Sequence, residues 1–420
     1  MKNLLKKIPF VLLTLSLLLV SGGTALAQDE EQEDVTLRII EKNPEWAAFW
    51  DEVIPMFEEE YPYITIQHEA VTTGNYNQLL TARMTSNDVD LVIGEFKGQV
   101  ANEVQRTQWL PLTDQPYLDS FSEDVLALGA YDDAPYLIPT GLVGNLVFYN
   151  VDIFEELELD VPTTWSEFLE VSQTIQDAGY DPVILGGADN WPVNMILNAL
   201  EGPLVRAENP NFYVDLRAGD ATFAEGPWVN VVERVDELSP YFQDFASGTP
   251  YDTVITLFVT ETGAMMIDGS WQAGAIDNAE PEFEVGVFAL PVTDDEEVNN
   301  VLTTKMATGW LINADSPNIE EAHLFLEFFS RPDVYQMFID VSGLIPAQSD
   351  IELSGTTART TAEFFAATPQ IPVWEDIRIH GGDYSNAPNF ISMILGDMTP
   401  QEVANAMQDK LIASQDNWQE

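Results

Sequence analysis

The sequence predicts an α/β protein of two lobes, each an open, mostly parallel sheet flanked by helices. Three observations predict this. The chain has 420 residues, more than one ordinary domain needs and suited to two or three. Strand and helix patterns alternate from Val35 to Ile93 and again from Leu146 to Leu185, the signature of parallel sheets with helical crossovers. No low-complexity linker and no repeat of about 20 to 50 residues sets the two stretches apart. Hydrophobic residues make up 45% of the chain and aromatic residues 11%, which excludes wholesale disorder.

The first segment reads as an address. Lys2, Lys6 and Lys7 precede an apolar stretch from Ile8 to Val20, and Ala25 and Ala27 offer small residues for a signal peptidase. A secretory signal cleaved after Ala27 is expected. The rival, a membrane anchor, is disfavoured by the shortness of the apolar core. Residues 28–34 form an acidic lead-in expected to be disordered.

The mature chain then opens as an alternating unit. Val35 to Ile40 alternates apolar and polar residues and predicts a strand. Asn43 and Pro44 suit the N-cap and first position of a helix. Trp46, Phe49, Trp50, Val53 and Phe57 recur at helical spacing, with Pro55 expected to kink the helix and Pro62 to end it. Tyr63 to Val71 reads as a second strand. Tyr76, Leu80 and Met84 mark a second helix, and Val89 to Ile93 a third strand, apolar enough to be covered on both faces. Ligands of such sheets bind at the carboxyl ends of the strands, here the loops starting at Glu41 and Gly94.

The second unit begins at Leu146 to Tyr149. Thr164 and Glu167 form a capping box ahead of Trp165, Phe168, Leu169, Val171 and Ile175, and Gly179 suits the helix stop. Pro182 to Leu185 is a short buried strand, so the following loop, Gly186 to Trp191, should face a cleft. Gly263 to Ile267 is an apolar strand that delivers Asp268, Gly269, Ser270 and Trp271. Ser316 is expected to cap a helix starting at Pro317, and Ser330 with Asp333 to box the next.

Composition excludes several functions. The chain has no Cys, so disulfides, thiolate metal sites, cysteine nucleophiles and a lipidated N-terminal cysteine are all out. Lys plus Arg number 16 against 70 Asp plus Glu, a net charge of −54. Removing the signal, with its three Lys and no acid, takes the charge to −57. Nucleic acid and anionic bilayers would be repelled. The acids are spread along the whole chain. Their mutual repulsion would largely vanish at molar salt, where the screening length falls to about 3 Å, so adaptation to a saline medium is expected. The sequence has no G-x-S-x-G, P-loop or G-x-G-x-x-G, and His68, His323 and His380 show no metal-ligand spacing. No enzyme, metal or cofactor is therefore expected. A secreted glycosidase working through two carboxylates stays as the minor alternative, as does a binder of peptide, polyamine or metal.

Five stretches, in order, resemble one family. They are Phe57 to Ile64, Tyr76 to Val92, Ile138 to Asn150 with Pro162 to Trp165, Ala264 to Trp271, and the closing third with Gly309 to Ile312, the helix after Pro317, and Gly343 to Ala347. The family is the extracellular solute-binding proteins of family 1, the sugar-binding components of ABC importers, to which maltose-binding protein belongs. Met306-Ala307-Thr308-Gly309 departs from the double glycine often found there. The resemblance implies the two-lobe periplasmic-binding-protein fold, with lobes joined by hinge crossovers near residues 139–144, 288–291 and 330. It implies an N-terminal lobe of residues 35–141 plus 290–330 and a C-terminal lobe of 142–289 plus 331–420. It also implies a carbohydrate between the lobes, hinge closure on binding, and delivery to a permease with its ATPase. Lacking a lipid anchor, the protein is expected to be a periplasmic monomer.

A pyranose offers apolar faces to aromatic rings and a rim of hydroxyls to polar groups. Trp271, matching the family's ligand-lining loop, is the leading stacking candidate, with Asp268 beside it as a hydroxyl acceptor. Trp191, with Asp189 and Asn190, follows. Trp46 could cap the site or staple its helix. Glu95 and Lys97 fit the same polar role from the other lobe. Thr140 and Gly141 sit at the hinge, and Thr140 is also expected to touch the ligand. Trp310 and Trp374 could line the cleft or pack, while Trp109 and Trp165 read as core.

Overall fold

The computed structural model describes residues 33–71, 73–95, 100, 106–189, 191–372 and 387–414. Among them the strands run, in chain order, β1 (Val35–Glu41), β2 (Ile64–Ala70), β3 (Leu91–Gly94), β4 (Ala130–Tyr131), β5 (Ala134–Pro135), β6 (Ile138–Pro139), β7 (Leu142–Asn150), β8 (Asp181–Ile184), β9 (Gly263–Gly269), β10 (Val285–Phe288), β11 (Leu302–Met306), β12 (Gly309–Ile312) and β13 (Gln370–Pro372). β4 and β5 form a small hairpin. The other strands make two sheets, one for each lobe. No helix among the described residues is long and apolar enough to cross a membrane.

The first sheet has the order β2-β1-β3-β12-β6. β1 pairs in parallel with both β2 and β3, as the alternating pattern requires. β12 and β6 join antiparallel. The helix Ala47–Glu60 covers one face. It keeps Pro55 inside and sends Phe49, Trp50, Val53 and Phe57 into the core. Asn43 makes no side-chain cap; a short 3-10 turn, Pro44–Trp46, leads in instead. All four residues of β3 are buried. Tyr76 and Leu80 pack beneath the opposite face, against Ile40 and Val92.

The second sheet has the order β13-β11-β7-β9-β8, with β10 on β7. It is not the mostly parallel sheet expected: β7, which enters from the first crossover, runs antiparallel to β9, β10 and β11, and only β8 with β9 and β11 with β13 are parallel. Its helix Trp165–Ala178 starts at the expected capping box of Thr164 and Glu167 and stops at Gly179 in the left-handed region, φ 97°. Trp165 and Trp109 are both core residues, 3% exposed.

The chain divides between the lobes differently from the expected boundaries. β11 pairs with β7, so residues 302–306 belong to the second sheet although they lie within 290–330. The second crossover thus falls between β11 and β12, at residues 306–309, and not at 288–291. The helix Pro332–Ser342 buries Val334, Tyr335, Phe338 and Ile339 in the first lobe's core. The third crossover therefore follows Gly343 rather than Ser330. The first crossover lies where expected, between β6 and β7. Two caps also differ. Asn318 stands at the start of the helix Ile319–Phe329, its N–H donating to Ser316 Oγ at 2.9 Å. Ser330 caps nothing: Arg331 precedes the next helix and pairs with Asp333 at 2.8 Å.

Candidate functional site

Backbone pairing places the carboxyl ends of the central strands beside the crossovers. Gly94, at the end of β3, pairs with Gly309, which follows the second crossover. Gly269, at the end of β9, pairs with Asn145, just beyond the first. Ser270 N–H donates to Gly144 O at 2.8 Å, and Gly144 N–H to Ser270 Oγ at 3.1 Å. The carboxyl ends of β3 and β9 thus lie beside the crossovers, one in each sheet.

On the second lobe these loops gather an aromatic wall. Trp191 meets Tyr251 edge to face at 4.3 Å between centroids, and Trp271 at 6.4 Å with a 48° tilt. Trp191 is 38% exposed. Trp271 is partly buried and also packs against the first lobe's core. Its benzo ring folds back onto Gly269: a Cβ built there would overlap Cζ3, Cη2 and Cε3 of the indole. Only glycine lets the ring lie there.

One hydroxyl organises the wall. Tyr251 OH accepts from Trp271 Nε1 at 2.8 Å and from Gln272 Nε2 at 2.7 Å, and donates to Asp268 Oδ1 at 3.2 Å. Its hydrogen-bonding capacity is thereby used up, and so is that of the Trp271 indole. Trp271 can offer a ligand only its apolar ring. Asp268 is 3% exposed. Oδ1 also accepts Gly269 N–H at 2.7 Å, and Oδ2 accepts Gln272 Nε2 at 2.9 Å. Burial pushes its carboxyl up to about 6 despite these donors. The same burial, next to the Asp268 carboxylate, raises the Tyr251 phenol. Asp268 therefore positions Tyr251 and Gln272; it does not reach into the cleft as the hydroxyl acceptor expected.

Asp189 is likewise occupied, accepting Tyr251 N–H at 2.8 Å. The loop it stands on is zipped to the one before Tyr251. Ala188 N–H donates to Thr249 O at 3.1 Å, and the Gln243 amide brackets the Leu185 backbone at 2.9 and 2.8 Å.

On the first lobe, the strand ends carry a buried polar cluster. Glu41, fully buried, accepts from Trp50 Nε1 at 3.0 Å and Asn43 N–H at 3.1 Å and faces His68 Nε2 at 3.3 Å. Trp50 stacks on the His68 ring at 4.0 Å. Burial raises the Glu41 carboxyl, against the pull of His68. Glu95, after β3, is ion-paired with Lys42.

Three expected site residues lie elsewhere. Trp46, 5% exposed, packs edge-on against Phe338 at 4.8 Å and staples its helix. Trp310 is fully buried among Trp50, Phe325 and Phe329. Thr140 is fully buried at the hinge, bonded to Thr308. Asn190, Lys97 and Trp374 lie outside the described residues. Tyr251 and Gln272, which hold the wall together, were missed. Gln272 follows Trp271 directly and could have been noticed, but no local pattern marks Tyr251.

A family model of the bacterial extracellular solute-binding proteins matches residues 42–336. The chain belongs to that family. Among its relatives, a multiple sugar-binding protein of Streptococcus mutans is 25% identical over 341 residues, spanning 78% of this chain and 79% of its own. Among solved structures, the binding protein RafE in complex with raffinose superposes at a TM-score of 0.79, with 24% identity over 90% of this chain and 99% of its own. A chitin oligosaccharide binding protein reaches the same TM-score, 0.79, at 19% identity, over 91% and 99% of the two chains. These structures share the two-lobe α/β fold of this solute-binding protein.

Proposed function

We propose that this solute-binding protein captures a carbohydrate between its lobes and delivers it to the permease of an ABC importer, whose ATPase drives uptake. The observation that carries the reading is the wall of Trp191, Tyr251 and Trp271 beside the crossovers. Trp191 and Tyr251 meet edge to face with centroids 4.3 Å apart, so these two rings are in contact and leave no gap between them for a cationic head group. The Trp271 indole N–H is spent on Tyr251. The wall then has apolar ring to offer a ligand, which matches the C–H face of a pyranose. Binding closes the lobes around the sugar, and no chemistry on the sugar is involved. The names of the sugar-binding relatives support the same reading. The protein acts as a secreted, periplasmic monomer after loss of residues 1–27.

The test is calorimetric titration with raffinose, stachyose, chitin oligosaccharides and arabino-oligosaccharides, alongside native mass spectrometry of any copurifying ligand. X-ray scattering should show a smaller radius of gyration with a bound glycan than without it. A copurified peptide or polyamine, or turnover of any glycan, would overturn the reading. So would an unchanged radius at saturation.

The acidity belongs to the same proposal, as adaptation to a saline medium. Several of the few cations are committed to local pairs: Arg38 with Asp88, Arg83 with Glu69, Arg234 with Glu237, and Arg331 with Glu60 and Asp333. Far more carboxylates than cations remain to repel one another through solvent. The melting temperature is expected to rise steadily from low to molar NaCl. A flat or falling curve would remove the salt-adaptation reading.

A further inference from the structure

Two of the three crossovers between the lobes meet at one phenol, and the remaining one is tied to them through Thr140. Tyr335, on the helix Pro332–Ser342, is fully buried in the first lobe's core. Its hydroxyl donates to Thr140 O on the first crossover at 2.9 Å and accepts Ala347 N–H on the third, also at 2.9 Å. Thr140 N–H in turn donates to Thr308 O on the second crossover at 3.0 Å. Thr140 Oγ1 lies 2.9 Å from that oxygen and 2.8 Å from Thr308 Oγ1. Ala307 N–H donates to Gly141 O at 2.9 Å, and Leu142 and Ile345 exchange backbone bonds at 2.8 and 3.3 Å. A Cβ on Gly141 would come within 2.7 Å of Leu344 Cβ, so the third crossover lies directly against the first.

Three separate extended segments would let the lobes rock, twist and slide independently. Bonded edge to edge they become one strip, which bends readily in one sense and resists the others. A buried tyrosine hydroxyl needs partners, and here its donor and acceptor capacities go to two different crossovers. We propose that Tyr335 is the positioning residue of the hinge, its hydroxyl holding the first and third crossovers in register so that the lobes move along a single closing path. The proposal rests on the closing-cleft reading above.

The absence of native cysteine allows a clean test. Exposed Glu59 and Glu170, on helices of the two lobes, are replaced by cysteines carrying spin labels, and the interlobe distance distribution is measured. Without ligand, Tyr335→Phe is expected to broaden that distribution about twofold, and to weaken binding of any saccharide the parent binds about three- to tenfold, the range of one hydrogen bond. Thr140→Val, which cuts a side-chain tie to the second crossover, serves as a second variant and should broaden it too. Distributions as narrow as the parent's in both variants, with only lower melting temperatures, would make the phenol a mere packing residue and overturn the proposal. Broadening by Thr140→Val alone would overturn it as well. In the parent, raffinose, stachyose and chitin oligosaccharides probe closure itself. If none shifts the mean distance, the closing-cleft reading fails, while the ligand-free width still decides the clamp.

Discussion

Trp271→Ala is expected to weaken carbohydrate binding about 30- to 100-fold, the equivalent of about 2–3 kcal/mol of lost ring contact. The cost in folding should be smaller. The ring is only partly buried, and its one hydrogen bond, to Tyr251, contributes about 1 kcal/mol. A core tryptophan would instead cost about 3–5 kcal/mol of stability. Calorimetric affinity and the ligand-free melt of the same variant separate the two cases. A strongly lowered melt with affinity retained by the folded fraction would transfer the stacking role to Trp191. Gly269→Ala probes the geometry without deleting the ring. Its methyl group would occupy the space of the benzo ring, so affinity should fall with Trp271 still present. Unchanged affinity would mean that the ring's resting place is irrelevant to binding.

The second large effect is on pH. Asp268 titrates at about 6 in the folded protein against 3.8 when unperturbed. Its raised value means that the folded state holds the proton more tightly than the unfolded state. The stabilisation from that proton is fully present below 3.8 and is lost as pH rises through about 6. A shift of this size corresponds to about 3 kcal/mol in full. Other carboxylates also discharge on acidification and relieve repulsion, so the informative quantity is a difference. Denaturant-derived stability of the unsubstituted protein should rise more steeply from neutral pH down to about 4 than that of Asp268→Asn, with the two slopes differing by up to one proton. Parallel curves would show that Asp268 titrates like an ordinary surface carboxylate.

Much of the fold was legible because its signals are local. The capping box at Thr164 and Glu167, the stop at Gly179 and the apolar run of β3 each depend on residues within one or two turns. Partners far apart were harder. The pairing of β11 with β7 joins residues more than 150 positions apart, and no local pattern around residue 302 announces it. The helix Pro332–Ser342 was assigned to the wrong lobe for the same reason. Its apolar face identifies it as packed but does not say against which core.

The sequence by itself determined the fold class, the acidic character, the absence of thiol chemistry and the strand end that delivers Trp271. All of these follow from composition or from short-range periodicity. Only the tertiary structure decided which tryptophans are sealed in a core. Nothing in the residues flanking Trp46, Trp310 and Trp271 says which core, if any, closes over each ring. The first two are sealed by Phe338 and by Phe325 with Phe329, while Trp271 is laid on a glycine and anchored by Tyr251, 20 residues earlier. The role of Asp268 was decided in the same way. A carboxylate beside a tryptophan reads as a ligand acceptor until its oxygens are found to be engaged by Tyr251, Gln272 and Gly269. Burial and partner choice depend on which segments are brought together in space, and that is set by long-range packing.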